Sequence, residues 1–545
     1  MNYYKKIFNT WMLATVALLF AGCKKGWLDI NYNPQQITDQ NAPPYLLLPP
    51  ELMNAPADPL ASQALQYWMG YWCPPSPYPA GFIYTTYNLT PSTNEIPADQ
   101  DLRSLILLEN KARQSNQSFY TGIAKVLKAM KWIRGVDFLN NIPYRESFQT
   151  GLRYPRYDEG KFIYEDQIKQ LDSAILLIKN ADASKNINIS LSDIMFHGNK
   201  NKWIKFINTL KLRLLIHQAN RSDRASYIQS EIARIIAEGS GFLNSGEDAS
   251  VNPGFTDQKP NRFYTSLSKY NNSPTITILP DGGVMLSYEL ASANTTALNF
   301  LKDNADPRMG LFYGTAGFPL PAGAAEPFPQ PTPDTYRGNK FGLPINSLAY
   351  PFQSAGFVSQ IKGTSAYNPV TPGSTGVLKG YNMDAWVLTS IESLFLQAEA
   401  IQRGWLPGNP EQAYKDAVRE SFRWLNAGGD SGQPGLSDAV FDNWYNNQVA
   451  ANNVNVSWAD APDKYKLLML QKWIAFNSIE PMEAYTDWRR NGGWPVIPPS
   501  LDPARISNTM PIRLPYSENE YVLNSENVNA QGTINIFTSK IWWMP

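Results

Sequence analysis

Apolar residues recur at helical spacing through two long parts of the chain. Between Asp101 and Leu139, the residues Ile123, Val126, Leu127, Met130, Ile133 and Val136 fall three or four apart. The polar break near Ser115 to Gln117 divides this stretch into two helices. Over 161–180, Ile168, Leu171, Ile175 and Ile178 share one face; over 202–219, Trp203, Phe206, Ile207, Leu210 and Leu214 share another. The pattern resumes at 386–403 and 411–425, separated by the stop Gly404-Trp405-Leu406-Pro407-Gly408, and again at 465–478 and 480–490. A helix with one apolar stripe cannot bury it alone, so the spacing predicts helix pairs that stack on one another.

From about 240 to 381 the texture changes. Pro, Gly, Asn, Ser and Thr dominate, as in "GFPLPAGAAEPFPQPTPDTYRGNKFGLP", and only short strand-like runs such as Thr275–Leu279 interrupt them. A loop-rich stretch of that length between helical blocks is expected to carry function. The fold class is therefore mainly α: tetratricopeptide-like helix pairs forming a right-handed helical scaffold, with an irregular loop-rich lobe inserted. Residues 51–545 are expected to form a single domain, with helical pairs at about 99–220 and 386–490.

The N-terminus reads as processing chemistry. Lys5 and Lys6 precede an apolar run from Trp11 to Phe20, too short to span a bilayer and suited to a secretory signal at 1–22. The next residues, Phe20-Ala21-Gly22-Cys23, resemble the lipobox of bacterial lipoproteins, which makes Cys23 the acylated first residue of the mature chain. An ordinary signal followed by a chance cysteine is the alternative. Residues 23–50, rich in Asn, Pro and Gln, are expected to form an extended linker.

Composition narrows the function. Lys plus Arg and Asp plus Glu balance at 47 each, with no basic cluster, which argues against nucleic acid as a partner. Charged residues are only 17% of the chain, whereas aromatics reach 13%, with 16 Trp and 29 Tyr, so some rings are expected to face a ligand. With Cys23 lipidated, Cys73 is left without a disulfide partner. His197 and His217 are the only histidines and lack a second ligand at metal spacing.

The densest aromatic run is "YWMGYWCPPSPYPAGFIYTTY". Sugar rings stack on Trp and Tyr while short amides and carboxylates meet their hydroxyls, so Trp72, Tyr78, Tyr84 and Tyr87 are candidate ligand contacts. Tyr264, Tyr313, Tyr336 and Phe352 in the irregular lobe are further candidates. Core packing competes with this reading near the start of the run, because Trp68, Tyr71 and Trp72 share one helical face. Glu392 and Glu399 lie seven apart on one helix, unlike the carboxylates that a glycosidase brings in from opposite sides of a sugar. Glu399 is expected instead to make a structural hydrogen bond inside the stack. Arg489 and Arg490 in "TDWRRNGG" could clamp an anion, but a structural role at a helix end is the simpler reading. No phosphate loop, nucleophile elbow, zinc spacing or dinucleotide fingerprint occurs, so the chain reads as non-catalytic, without cofactor or metal.

Several stretches together carry a family likeness: "WLDINYNP", "NNIPYRES", "DEGKFIYEDQIKQLDSAILLI", "NKWIKFINTLKLRLLIHQAN", "DPRM", "ESLFLQAEAIQRGW", "QKWIAFNSIEPMEAYTDWRRNGGWP" and "KIWW". In this order they resemble the SusD/RagB family of nutrient-binding outer-membrane lipoproteins of Bacteroidetes, in its SusD-like branch. The resemblance implies four tetratricopeptide-like helix pairs, a ligand site on the irregular lobe, and a SusC-type TonB-dependent outer-membrane barrel as partner. It also implies a surface-exposed protein held to the outer membrane by its lipid. Lys24-Lys25 stand where acidic residues often follow the cysteine, which leaves surface and periplasmic orientations both open. The cargo is an oligosaccharide or, in the alternative, a peptide; a surface glycoside hydrolase and a helical scaffold for other proteins are the remaining readings.

Overall fold

A computed structural model describes residues 42–56, 62–74, 82–93, 102–267, 276–278, 284–286, 291–316, 336–343, 358–363, 373–429 and 434–545. Its main helices are α1 (Pro44–Met53), α2 (Gln63–Trp68), α3 (Arg103–Gln114), α4 (Ser118–Leu139), α5 (Gly160–Lys179), α6 (Lys200–His217) and α7 (Ala225–Glu238). There follow α8 (Thr295–Asp303), α9 (Ser390–Gln402), α10 (Pro410–Trp424), α11 (Pro434–Ala450), α12 (Lys464–Ala475) and α13 (Pro481–Arg490). The expected break in the first block is present, since α3 ends at Gln114 and α4 begins at Ser118.

Local chemistry fixes the helix ends. Asn199, Asn409 and Asp463 accept hydrogen bonds from the backbone amides of Lys202, Gln412 and Lys466 at 3.1, 2.9 and 2.9 Å, each relieving an amide that lacks an intrahelical partner. Pro410 and Pro481 occupy first-turn positions, where a missing N–H costs nothing. Helix α7 stops at Gly239, whose φ of +83° only glycine adopts without a steric penalty.

The helices then pack on one another. Helix α4 lies against α3 on one side and α5 on the other; α5 continues onto α6; α9 packs on α10, α6 and α12. At Gly122 the α4 and α5 backbones come so close that a Cβ would stand 2.6 Å from Ile178 Cγ1. One continuous core results, running from Leu48 to Met544.

Several elements differ from the sequence expectation. The helix predicted from Trp386 starts only at Ser390, capped by Thr389. Residues Ala385–Leu388 instead form strand β8, antiparallel to β4 (Ala249–Val251), which suits a run of Trp, Val and Leu. The stretch expected to be linker up to residue 50 contains α1, whose Leu48 and Leu52 are fully buried. Helices α7 and α11 were not anticipated, although Ile228, Ile232 and Ile235 carry the helical period of α7. In the irregular lobe, β5 (Ile276–Ile278) and β6 (Val284–Leu286) form a hairpin, as the strand-like run suggested. Strand β1 (Trp72–Cys73) pairs with β7 (Ser292–Ala293) and joins the aromatic run to the lobe, while β2 (Ile142–Pro143) pairs with β3 (Tyr157–Asp158) beside α4. Among the described residues no helix is long and apolar enough to cross a membrane.

The core contains a seam of buried charge. Glu399 accepts from Arg490 Nη1 at 2.7 Å and Nη2 at 2.6 Å, with neither side chain exposed. Glu392 accepts from Arg213 Nε and Nη2 at 2.5 and 2.6 Å. His217, the last residue of α6, is buried, with Nε2 2.8 Å from Glu483 and Nδ1 2.9 Å from the Tyr164 hydroxyl. Arg489 donates to the carbonyls of Asp137 and Ile512 at 2.6 and 3.2 Å and joins the end of α4 to the C-terminal segment. Burial opposes the Glu399 charge, yet the Arg490 and Arg403 guanidiniums hold its carboxyl well below the usual range. Glu399→Ala leaves a buried guanidinium without its main counter-charge and is expected to cost about 3–5 kcal/mol, read as a lower urea midpoint.

Candidate functional site

Strand β8 and its partner β4 place a recess where the irregular lobe returns to the helices. It is lined by Asp248 and Ser250, Gly373 and Lys379, Asn382 to Asp384, Trp386 and Trp424, and encloses about 290 Å³. The strand pairing sets Ser250 opposite Trp386, and α10 delivers Trp424 from the other side. The two indoles meet edge to face at 5.2 Å, with Phe263 against Trp386 at 4.9 Å. Each tryptophan keeps 8% of its surface open.

Polar groups surround these rings. Asp248 accepts from the Trp424 indole at 2.9 Å and from the Ser390 amide at 2.6 Å. Asp384, exposed, accepts from Asn252 at 2.7 Å and from the Ser250 hydroxyl at 3.2 Å. Lys379 Nζ lies 3.9 Å from the centroid of Trp424. Burial pushes the Lys379 pKa down to about 8, against the pull of Asp248 and Asp384. The arrangement offers indole surface, a carboxylate acceptor, an amide and a hydroxyl within one hollow, a set suited to a polar ligand with flat apolar faces.

The aromatic residues singled out in the sequence are mostly core where the structure describes them. Trp72 is fully buried and donates its indole N–H to Ser478 Oγ at 2.7 Å. Tyr87 is fully buried and accepts from the Ser500 amide at 2.7 Å; burial pushes its hydroxyl up to about 12. Tyr313, also fully buried, donates to the Tyr71 carbonyl and accepts from Asn477, both at 2.8 Å. A ring with no open face has nothing to offer a sugar, so these three serve packing, as does Trp68, whose indole donates to the Tyr84 carbonyl at 3.1 Å. Tyr84 retains 8% exposure and lies edge-on to Phe82. Tyr336 is half-buried near Gly310. Tyr264 meets Tyr381 edge to face at 6.4 Å, beside the segment that leads into the recess. Tyr78, Phe352 and Cys23 lie outside the described residues. Cys73 is buried and free, its thiol pKa raised by burial.

Against this geometry the comparisons are decisive for the family. A family model described as "Starch-binding associating with outer membrane", SusD-like, matches residues 48–517. The chain belongs to the SusD-like family. A chitin-binding SusD homologue from Flavobacterium johnsoniae shares its fold at 19% identity, with a TM-score of 0.67 over 92% of this chain and 98% of the other. A SusD homologue from Bacteroides fragilis superposes with a TM-score of 0.68 at 18% identity, covering 92% of this chain and all of its own. A further chitin-binding protein gives a TM-score of 0.67 at 20% identity, over 92% and 99% of the two chains. The tetratricopeptide-like fold of this SusD-like chain is thereby shown. No curated protein matches it.

Lys379 gives the recess a pH signature. Its folded-state pKa of about 8 lies below its ordinary 10.5, so between those values the unfolded chain holds a proton that the folded chain lacks. Stability relative to Lys379→Met is expected to rise from pH 8 to pH 10.5 and to be constant below pH 7, measured by urea unfolding at each pH.

Proposed function

We propose that this SusD-like protein captures an oligosaccharide without cleaving it and passes it to a SusC-type TonB-dependent barrel in the outer membrane. Acylated Cys23 holds it there. The observation that carries this reading is the recess in which Trp386 and Trp424 stand beside Ser250, Asn382 and Asp384, at the junction of lobe and helices. Family membership and the chitin-binding neighbours support a carbohydrate as the cargo class. Non-catalysis is supported by the Glu392 and Glu399 carboxylates, which are held by Arg213 and Arg490 inside the stack. A tethered lid needs only modest affinity, because its position over a pore mouth raises the effective ligand concentration.

Isothermal titration of the purified mature chain with neutral chito- and malto-oligosaccharides tests this. Binding is expected in the micromolar to millimolar range, with no new reducing ends after prolonged incubation. The double variant Asn382→Ala, Asp384→Ala is expected to weaken it about tenfold, the loss of one or two good hydrogen bonds. Binding of a peptide digest with no response to any glycan would overturn the reading in favour of peptide capture.

A further inference from the structure

On the helical side of the molecule, away from the β4–β8 recess, α3, α4 and α5 frame a second cleft of about 420 Å³, within the size range of small-ligand pockets. Four aromatic rings line it, brought from three separate segments. Trp132 meets Tyr144 edge to face at 5.0 Å and Phe148 at 6.3 Å, and Tyr144 meets Phe162 at 6.4 Å. Unlike the described rings of the run at 67–87, two of these are open to solvent: Phe148 is 46% and Phe162 39% exposed.

Phe148 is also held in an unfavourable backbone. Its φ of +62° lies in the left-handed region, which disfavours a bulky side chain by about 1–2 kcal/mol. An exposed phenyl contributes little to the core, so the fold gains no stability that would explain such a turn. The turn does set that ring at the cleft.

The charges in the cleft are unequal. Glu109, on α3, is the shared counter-ion of three cations: Arg113 at 2.5 Å, Lys128 at 2.5 Å and Lys125 at 3.6 Å. Burial opposes its ionisation, but Lys128, Lys125 and Arg113 hold the Glu109 carboxyl below its ordinary range. One negative charge therefore faces three positive ones. Lys125 also donates to Gln170 at 2.6 Å. At the far end Arg145 stands 4.7 Å over the Phe162 ring and pairs with Asp158 at 2.5 Å, while Asp166 accepts from the Tyr144 hydroxyl. With Asp158 and Asp166 included, four cations face three carboxylates, and the excess sits at the Glu109 end. Arg113 keeps 58% of its side chain exposed and Lys128 24%, so both can swing to a ligand.

We infer that this cleft is a second saccharide site, selective for sugars that carry a negative charge: the anion meets Arg113 and Lys128, and the ring stacks on Phe148 or Phe162. The inference rests on the carbohydrate-capture reading for its cargo class but concerns different residues. Carboxylate and sulfate ester share the chemistry required.

The test titrates the mature chain with oligogalacturonate, a sulfated oligosaccharide, a neutral oligosaccharide of equal length and an acidic peptide of equal charge. One or both acidic sugars are expected to bind, more weakly as salt rises. The variant Arg113→Gln, Lys128→Gln is expected to lose at least about tenfold of that affinity, and Phe148→Ala a similar amount. Neutral-glycan affinity at the β4–β8 recess is expected to stay within about twofold. The ratio of the two acidic arms tells carboxylate from sulfate. Absence of acidic-sugar binding, equal binding of the neutral oligosaccharide at this cleft, insensitivity to both variants, or tighter binding of the acidic peptide would each overturn the inference. Because Arg113 is largely exposed, Arg113→Gln alone serves if the double variant folds poorly. The neutral arm reads the β4–β8 recess separately, so failure of either site is seen without the other.

Discussion

Glu399 and Arg490 meet inside the protein in a two-point ion pair, ninety-one positions apart in the chain, and the docking of the last helix pair onto the earlier ones depends on that meeting. Two charges withdrawn from water are costly unless each finds good geometry and further hydrogen bonds. Here they do. Arg490 also engages Asp487 at 2.7 Å, Arg403 joins Glu399 at 2.9 Å, and the Tyr465 hydroxyl links Arg403 to Asn491. Neighbouring pairs, Arg213 with Glu392 and His217 with Glu483, extend the same logic to α6, α9 and α13. Apolar stripes bring helices together without saying which partner is right, whereas a buried guanidinium is satisfied only in one register.

That seam explains why the tempting carboxylates and arginines are not available for chemistry. Their charges are spent on each other; in the proposed function, recognition falls to surfaces where the helical stack meets less regular chain. The recess at β4 and β8 lies at such a place, with its tryptophans held by edge-to-face contacts and its exposed Asn382 and Asp384 free to meet solvent. A rigid floor with polar groups at its rim suits capture followed by quick release.

Much of the helical scaffold was legible in the sequence, because a stripe such as Ile168, Leu171, Ile175 and Ile178 reports a buried face directly. Boundaries were less so where a strand abuts a helix: Trp386, Val387 and Leu388 continue the apolar pattern of α9, while Trp386 and Leu388 pair with β4. The site was the hardest part. A dense run of rings drew attention to Trp72 and Tyr87, yet these are core, since aromatic spacing along the chain does not distinguish a ring that packs from one that binds. The rings that do reach open hollows are scattered. Trp386 and Trp424 are brought together by a strand pair and a helix, and Trp132, Tyr144, Phe148 and Phe162 by α4, a turn and α5, so no local stretch announces either set. Tyr264, which packs edge to face on Tyr381, is likewise buried.

The central claim is that an intact glycan rests in the recess between lobe and helices. A crystal structure of the protein soaked with a neutral oligosaccharide tests it most directly. The account predicts an uncleaved chain with a sugar ring against Trp386 and hydroxyls within hydrogen-bonding reach of Asn382 and Asp384. Density for cleaved product, or a glycan bound only at a distant surface with this recess filled by water, would contradict it.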